Sequence, residues 1–363
     1  MELSSITSAD RVVLVLGAGA SISEMLAKGS NPLPPTDANF LEIARECHPG
    51  QVRNLAKSFN VVWQGNEPYP MKIQRMEQLF ASAYLRVQQT KGNSTEGIAA
   101  NQLYDRLIVL LRDTLYSTTN APHSTEHMEV VRAILRFSPS AFDVISFNYD
   151  LLADRALREL NDSGDLQWSH KDGYGFKPAN QSAPSTKSNV KLLKLHGSMN
   201  WYIVLPGRKR ESAYDPSAPI YVPNPGTSGT AVPWQRRQRK LGHRGKRIFP
   251  LIIPPVYEKG ERIRGKFGQI WQSTLESLQQ ATLVIFWGYS LPITDYHAEY
   301  LFARCARKAR FRTMIVNPDP AALSRVHYVS SHTWGRWFFR IGHWLPLMQS
   351  QILPTQNSES GNG

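Results

Sequence analysis

The hydrophobic pattern of the chain opens on residues 12–16, VVLVL, five aliphatic positions in a row, three of them β-branched. An uninterrupted apolar run of that length, closed by Gly17, predicts a strand buried on both faces of a parallel sheet. Runs of the same kind recur at 143–147 (DVISF), 190–195 (VKLLKL), 249–253 (FPLII), 282–286 (TLVIF) and 313–316 (TMIV). Between them the apolar spacing changes to that of helices. A short helical stretch is expected at 23–29, and Thr36 can cap a helix through Cys47. Ile73, Met76, Leu79, Phe80, Ala83 and Val87 form one helical stripe, and Leu103, Leu107, Leu110, Leu111 and Leu115 form another. Ser124 caps a further helix carrying Met128, Val131, Ile134 and Leu135, and the stripes read as core. About a hundred residues of helix and loop thus separate the first strand from the second. From there strand and helix alternate. That order predicts an α/β fold with a Rossmann-like, doubly wound parallel sheet and a large helical insertion after its first strand.

The strand ends carry the polar chemistry. Gly17 and Gly19 follow the first strand, where a residue without Cβ allows a tight turn and lets a phosphate approach the main chain. A dinucleotide fingerprint would have a third small residue where Ile22 stands and an acidic residue about 20 positions on, at the end of a second strand. Asp37 has the spacing, but it follows Leu33-Pro34-Pro35-Thr36 and reads as the opening of a helix, which disfavours a simple dehydrogenase. Asn148-Tyr149-Asp150 ends the second strand, where ligands of open α/β sheets bind, although a helix cap would use the same residue types. His196-Gly197-Ser198 follows the third strand and sets an imidazole beside open backbone, as a general base requires. Gly288-Tyr289-Ser290 and Asn317-Pro318 close the later strands.

Composition adds few constraints beyond these. The chain has 363 residues, with an ordinary apolar content of 41%. It shows no membrane-length apolar run and no export signal, so cytoplasmic localisation is expected. Cys47 and Cys305 are its only cysteines, too few for a four-thiolate zinc site, and there is no ligand cluster for another metal. A net charge of +13 favours an anionic partner, and the positive charge is densest over 236–247, where Arg236, Arg237, Arg239, Lys240, Arg244, Lys246 and Arg247 crowd together. That run reads as a solvated loop or as a partner contact. The aromatic stretch 334–345, with Trp334, Trp337, Phe338, Phe339 and Trp344, predicts a packed terminal element or a homo-oligomer contact. The expected organisation is a single α/β domain over 1–350, with a helical insertion at 36–138, a basic irregular insertion at 204–248, and a disordered tail at 351–363.

Taken in order, Gly17-Ala18-Gly19-Ala20-Ser21, Phe147-Asn148-Tyr149-Asp150, Leu195-His196-Gly197-Ser198, Ile253-Pro254-Pro255, Gly288-Tyr289-Ser290 and Val316-Asn317-Pro318 resemble the sirtuin-like superfamily. More narrowly, they resemble its bacterial branch that hydrolyses NAD during antiphage defence. The resemblance implies NAD as substrate, with Gly17, Ala18, Gly19 and Ser21 along its phosphates and Asn148 and Asp150 at the nicotinamide ribose. It also implies His196 as catalytic base, Asn148 as its catalytic companion, and Gly288, Ser290 and Asn317 along the adenosine half. Two features of protein-deacylating sirtuins are missing, the four-cysteine zinc module and the Gly-Ile-Pro-Asp-Phe-Arg stretch, so hydrolysis is preferred to deacylation. The resemblance further implies a homo-oligomer and a separate activating partner, such as a nucleic-acid-translocating ATPase or an Argonaute-like protein, with no membrane involved. A non-catalytic sensor of NAD or ADP-ribose, a nucleic-acid-binding module built on the basic run, and a deacylase are the competing readings.

Overall fold

The computed structural model describes residues 11–59, 62–64, 67–69, 75–91, 94–120, 123–137, 142–180, 187–205, 218–223, 247–254, 265–309, 311–330 and 335–338. Its centre is the strand β1 (Val12–Leu16), every residue of which is buried, as in β4 (Phe142–Ser146) and β9 (Leu283–Trp287). These runs are apolar throughout because both of their faces are covered. With β5 (Leu192–Lys194), β10 (Arg312–Val316) and β11 (Gly335–Phe338) they form a parallel sheet in the order β11-β10-β9-β1-β4-β5. The chain winds outward from β1 to one edge through β4 and β5, then crosses back and winds to the other edge from β9. The strand order therefore reverses between β1 and β9. That is the topological switch point of a doubly wound sheet, where its ligand crevice lies at the carboxyl ends of the strands.

Helices cover the sheet. α1 (Ala18–Ala27) packs on α6 (Thr125–Phe137), and α6 on α7 (Leu152–Asp162); α8 (Gly265–Gln280), α9 (Tyr296–Ala309) and α10 (Pro320–Ser330) pack in succession beside the later strands. Between α1 and β4 lie α2 (Phe40–Cys47), α3 (Pro49–Ser58), the antiparallel pair β2 (Val62–Gln64) and β3 (Glu67–Tyr69), α4 (Met76–Gln89), and the long α5 (Thr95–Thr119). The leucine stripe of α5 is buried, as the apolar spacing predicted.

Several local expectations are corrected. Residues 249–253 have the apolar signature of a sheet strand, yet β8 (Arg247–Ile252) pairs antiparallel with β6 (Gly197–Leu205) in a separate sheet completed by β7 (Ile220–Tyr221). The cause is the turn at Gly197, whose φ of +81° reverses the chain straight after β5. A Cβ at Gly197 would lie 2.2 Å from the Leu251 carbonyl oxygen, so only glycine fits. The first helix starts at Ala18 rather than at Ser23, leaving Gly17 as the whole turn. Asp37 does not open α2; its carbonyl and carboxylate accept hydrogen bonds from the backbone N–H groups of Met76 and Glu77, closing the start of α4. Ser124 precedes α6, but its hydroxyl has no hydrogen-bond partner among the described residues. Instead, the carboxylate of Glu24 accepts from the N–H groups of Thr125 and His127. The basic run at 236–246 and the tail at 351–363 lie outside the described residues, and of 334–345 only the backbone of β11 is described. No described helix is long and apolar enough to cross a membrane.

Candidate active site

At the switch point the loop after β1 meets the loop after β9. The Gly17 N–H donates to the Trp287 carbonyl (3.0 Å) and the Gly19 N–H to the Gly288 carbonyl (3.0 Å). Gly288 has φ +65°, and a Cβ there would come within 2.1 Å of the Ala20 nitrogen. At Gly17 and Gly19 the added atom would strike the backbone of Tyr289 and Gly288, at 2.5 and 2.8 Å. These glycines are therefore needed so that two strand-end loops can interlock. A side chain at Gly17 or Gly19 would thus meet the neighbouring loop, and both glycines are also on the cavity wall. What faces outward is the start of α1, which has no side-chain cap and no acidic residue in its first turn, with Ala18 exposed.

Ser21, one turn into α1, is buried and donates to Asp150 Oδ2 at 2.6 Å. The Asn148 amide donates to the Gly17 carbonyl (2.8 Å) and to Ser21 Oγ (3.0 Å). A carbonyl only accepts, so the orientation of this amide is fixed: both hydrogens are engaged, and Oδ1 is the part of the side chain left to accept. Asp150 also receives the Leu152 N–H on Oδ1, although the N-cap position of α7 itself is Leu151. Beneath it lies Lys194, 1% exposed, whose ammonium donates to the Asp150 carbonyl and to Asp154 Oδ2 (2.9 Å). Tyr174 donates to the other oxygen of Asp154; burial first, then the Asp154 charge, pushes the Tyr174 hydroxyl well above its usual range and keeps it a donor.

His196 occupies the turn between β5 and β6. Its carbonyl accepts from the Ile253 N–H (2.8 Å), and the preceding Leu195 N–H donates to the Ser146 carbonyl (3.0 Å), so the backbone is held from both sides. Phe147 meets the imidazole edge-on at 5.2 Å between centroids and stacks on Tyr289 at 4.0 Å. The imidazole Nε2 lies 3.4 Å from Asp295 Oδ2, both side chains being buried. Tyr289 donates to the same oxygen at 3.0 Å, and Tyr149 donates to the Ile253 carbonyl at 2.9 Å. Burial, reinforced by the Asp295 charge, raises both tyrosine hydroxyls well above their normal range. Farther along the strand ends, Asn317 Oδ1 accepts from the Asp319 N–H (2.9 Å), and Arg325 donates to the Ser290 carbonyl (2.6 Å).

These residues surround one cavity of about 450 Å³, within the range of small-molecule and cofactor sites. Gly17, Ala18, Gly19, Ser21, Asn148, Asp150, His196, Gly288, Ser290 and Asn317, singled out at separate strand ends, all line it. Sequence reasoning missed other parts of the wall. Leu111 and Leu115 of α5, read only as core, line the cavity, as do Pro34, Pro35, Arg75 and Glu77. Asp295 lies outside every strand-end motif of the sequence, and Lys194 reads as part of an apolar strand; a lysine inside such a run was the available signal. Among the described residues no three His, Cys, Asp or Glu side chains gather as a metal site would require.

No family model matches the sequence, and no curated protein matches it. Solved structures do show similarity. One is a sirtuin solved in work on the structural basis of sirtuin substrate affinity: 16% identity, 95% of each chain covered, TM-score 0.42. Another is a Sir2 with a p53 peptide and NAD+: 14% identity, 97% of this chain and 98% of that one, TM-score 0.43. A third is a Sir2 in complex with the inhibitor EX-527, 2′-O-acetyl-ADP-ribose and a deacetylated p53 peptide: 15% identity, 94% and 92% covered, TM-score 0.41. The solved structures similar to this chain thus include sirtuins.

Proposed function

We propose that the chain binds NAD in the switch-point cavity and hydrolyses its nicotinamide glycosidic bond, giving nicotinamide, ADP-ribose and a proton. The observation that carries this reading is that the strand-end residues at 17–19, 21, 148–150, 196, 288–290 and 317 line one cavity, which pairs a fixed amide with a buried imidazole. Nicotinamide departs as a neutral molecule, so its departure needs no protonating acid. The help required is a held ribose, a positioned water and a base. In this reading Asn148 Oδ1 accepts from the water or a ribose hydroxyl, and His196 takes the proton that the water loses on attack. Asp37, Glu77, Asp150, Asp295 and Asp319 line the same cavity, and their carboxylates favour a cationic nicotinamide ring and the oxocarbenium-like sugar that follows it. The diphosphate is assigned to the open start of α1 at Ala18, with Ser21 behind it, and the adenosine half to Gly288, Ser290 and Asn317.

The motif order suggests the setting: NAD depletion in antiphage defence by a homo-oligomeric domain that a separate partner switches on. The test is incubation of the purified protein with NAD, alone and with candidate partners, followed by chromatography for nicotinamide and ADP-ribose. His196→Ala and Asn148→Ala are each expected to lower the rate on the order of 10²- to 10⁴-fold, the contribution of a positioned base, while Tm stays near that of the wild type. A fully active His196→Ala protein overturns the assignment. Nicotinamide release that requires an acyl-lysine peptide replaces hydrolysis with deacylation.

A further inference from the structure

The Asp295 side chain is 5% exposed and faces the 8% exposed side chain of His196 at 3.4 Å. We propose that Asp295 is the positioning carboxylate of His196: it fixes the imidazole with a proton on Nε2, so that Nδ1 takes the proton from the attacking water, and it balances the charge the ring then gains. This rests on the proposed NAD cleavage and assigns the proton path within it.

The surroundings leave the pair little freedom. Tyr289 donates to the same carboxylate oxygen and stacks on Phe147, which in turn meets the His196 ring edge-on, so the aromatic wall fixes both partners together. The segment that delivers Asp295 is itself constrained. Leu291, buried at 3% exposure, adopts φ +46°, a left-handed conformation that is unfavourable for a non-glycine residue and that clusters at functional sites. The Asp295 N–H then donates to the Pro292 carbonyl, which closes the turn at the start of α9. A carboxylate on one imidazole nitrogen selects the tautomer and stabilises the imidazolium, whereas an uncharged isostere does neither. Among the described residues, the titratable groups that face His196 include the Asp295 carboxylate from the start of α9, the Tyr149 ring from the end of β4 at 6.0 Å, and, through Asp295, the Tyr289 hydroxyl from the end of β9. Burial, with the Asp295 carboxylate beside them, keeps both tyrosine hydroxyls protonated, so Asp295 is the acidic partner among these groups.

The experiment compares wild type with Asp295→Asn by NMR titration of the His196 imidazole in the absence of NAD, and by the pH dependence of kcat and KM with NAD. Loss of the carboxylate is expected to lower the His196 midpoint by about 1–3 pH units. The acidic limb of the kcat profile is expected to move the same way, with kcat falling on the order of 10²-fold or more and KM changing little. A purely structural residue would alter Tm and leave the midpoint in place. An unchanged midpoint with an unchanged profile overturns the inference while leaving NAD cleavage standing. A wild-type chain that neither binds NAD nor releases nicotinamide, with or without partners, overturns the reading beneath it, whatever the titration gives. If Asp295→Asn does not fold, Asp295→Glu carries the test. It keeps the charge one methylene displaced, so a small midpoint shift with a reduced kcat is expected, and an undiminished kcat overturns the proposal.

Discussion

Replacing Glu24 with Gln should cost the protein about 3 kcal/mol at pH 7 and much less in acid. Glu24 lies in α1 at 0% exposure, yet its carboxylate accepts from the Thr125 N–H (2.7 Å), the His127 N–H (3.0 Å) and His127 Nδ1 (3.1 Å), with the Lys28 ammonium at 3.3 Å. Burial alone would push the carboxyl up. The His127 bonds and charge, with a smaller effect from Lys28, outweigh burial and bring it down from 4.5 to about 2. A carboxyl that titrates lower in the folded chain than in the unfolded one stabilises the fold fully above the unfolded value, and this is lost as pH falls through the folded value. From 4.5 to about 2 the contribution is about 3 kcal/mol at pH 7 and about 1 kcal/mol at pH 3. Gln stands in for the protonated acid. Urea unfolding of both proteins at pH 7, 5 and 3 should show a stability gap that narrows as the pH falls. A gap that stays constant over that range, or none at pH 7, refutes the reasoning, because the gap would then not come from the ionised carboxylate. The expected location of the damage is the α1–α6 contact, since Glu24 supplies the acceptors that the first N–H groups of α6 require.

Gly288→Ala should destabilise the fold by more than the roughly 1–2 kcal/mol that a left-handed conformation costs alanine, because the methyl also meets the backbone of Gly19 and Ala20; a Tm equal to the wild type's would contradict the interlock. Lys194→Met should cost about 3–5 kcal/mol by leaving Asp154 as a buried charge without its cation, and Lys194→Met/Asp154→Leu should recover part of that loss in a double-mutant cycle.

How much of this was legible in the sequence depends on how local the cause is. Residues 12–16, 143–147, 282–286 and 313–316 could be read as sheet strands because burial on both faces leaves a mostly apolar run. Residues 249–253 show the same run and joined a different sheet, since an apolar strand does not encode its partner; the turn at Gly197 chose it. The polar residues that line the cavity were found because they sit immediately after strands, and the switch-point rule places ligands there. Asp295, Lys194 and Glu24 were missed because their partners, His196, Asp154 and His127, are far away along the chain. Leu111 and Leu115 were read as core, which burial bears out, but periodicity says nothing of what a buried face adjoins, and theirs adjoins a cavity.

The interlocked glycines have a consequence for how such chains diverge. Gly17, Gly19 and Gly288 are required by the contact between two loops of the scaffold, whatever the cavity holds. A descendant that abandoned its substrate would still be selected to keep all three, so the glycine pattern survives as a record of ancestry rather than of present chemistry.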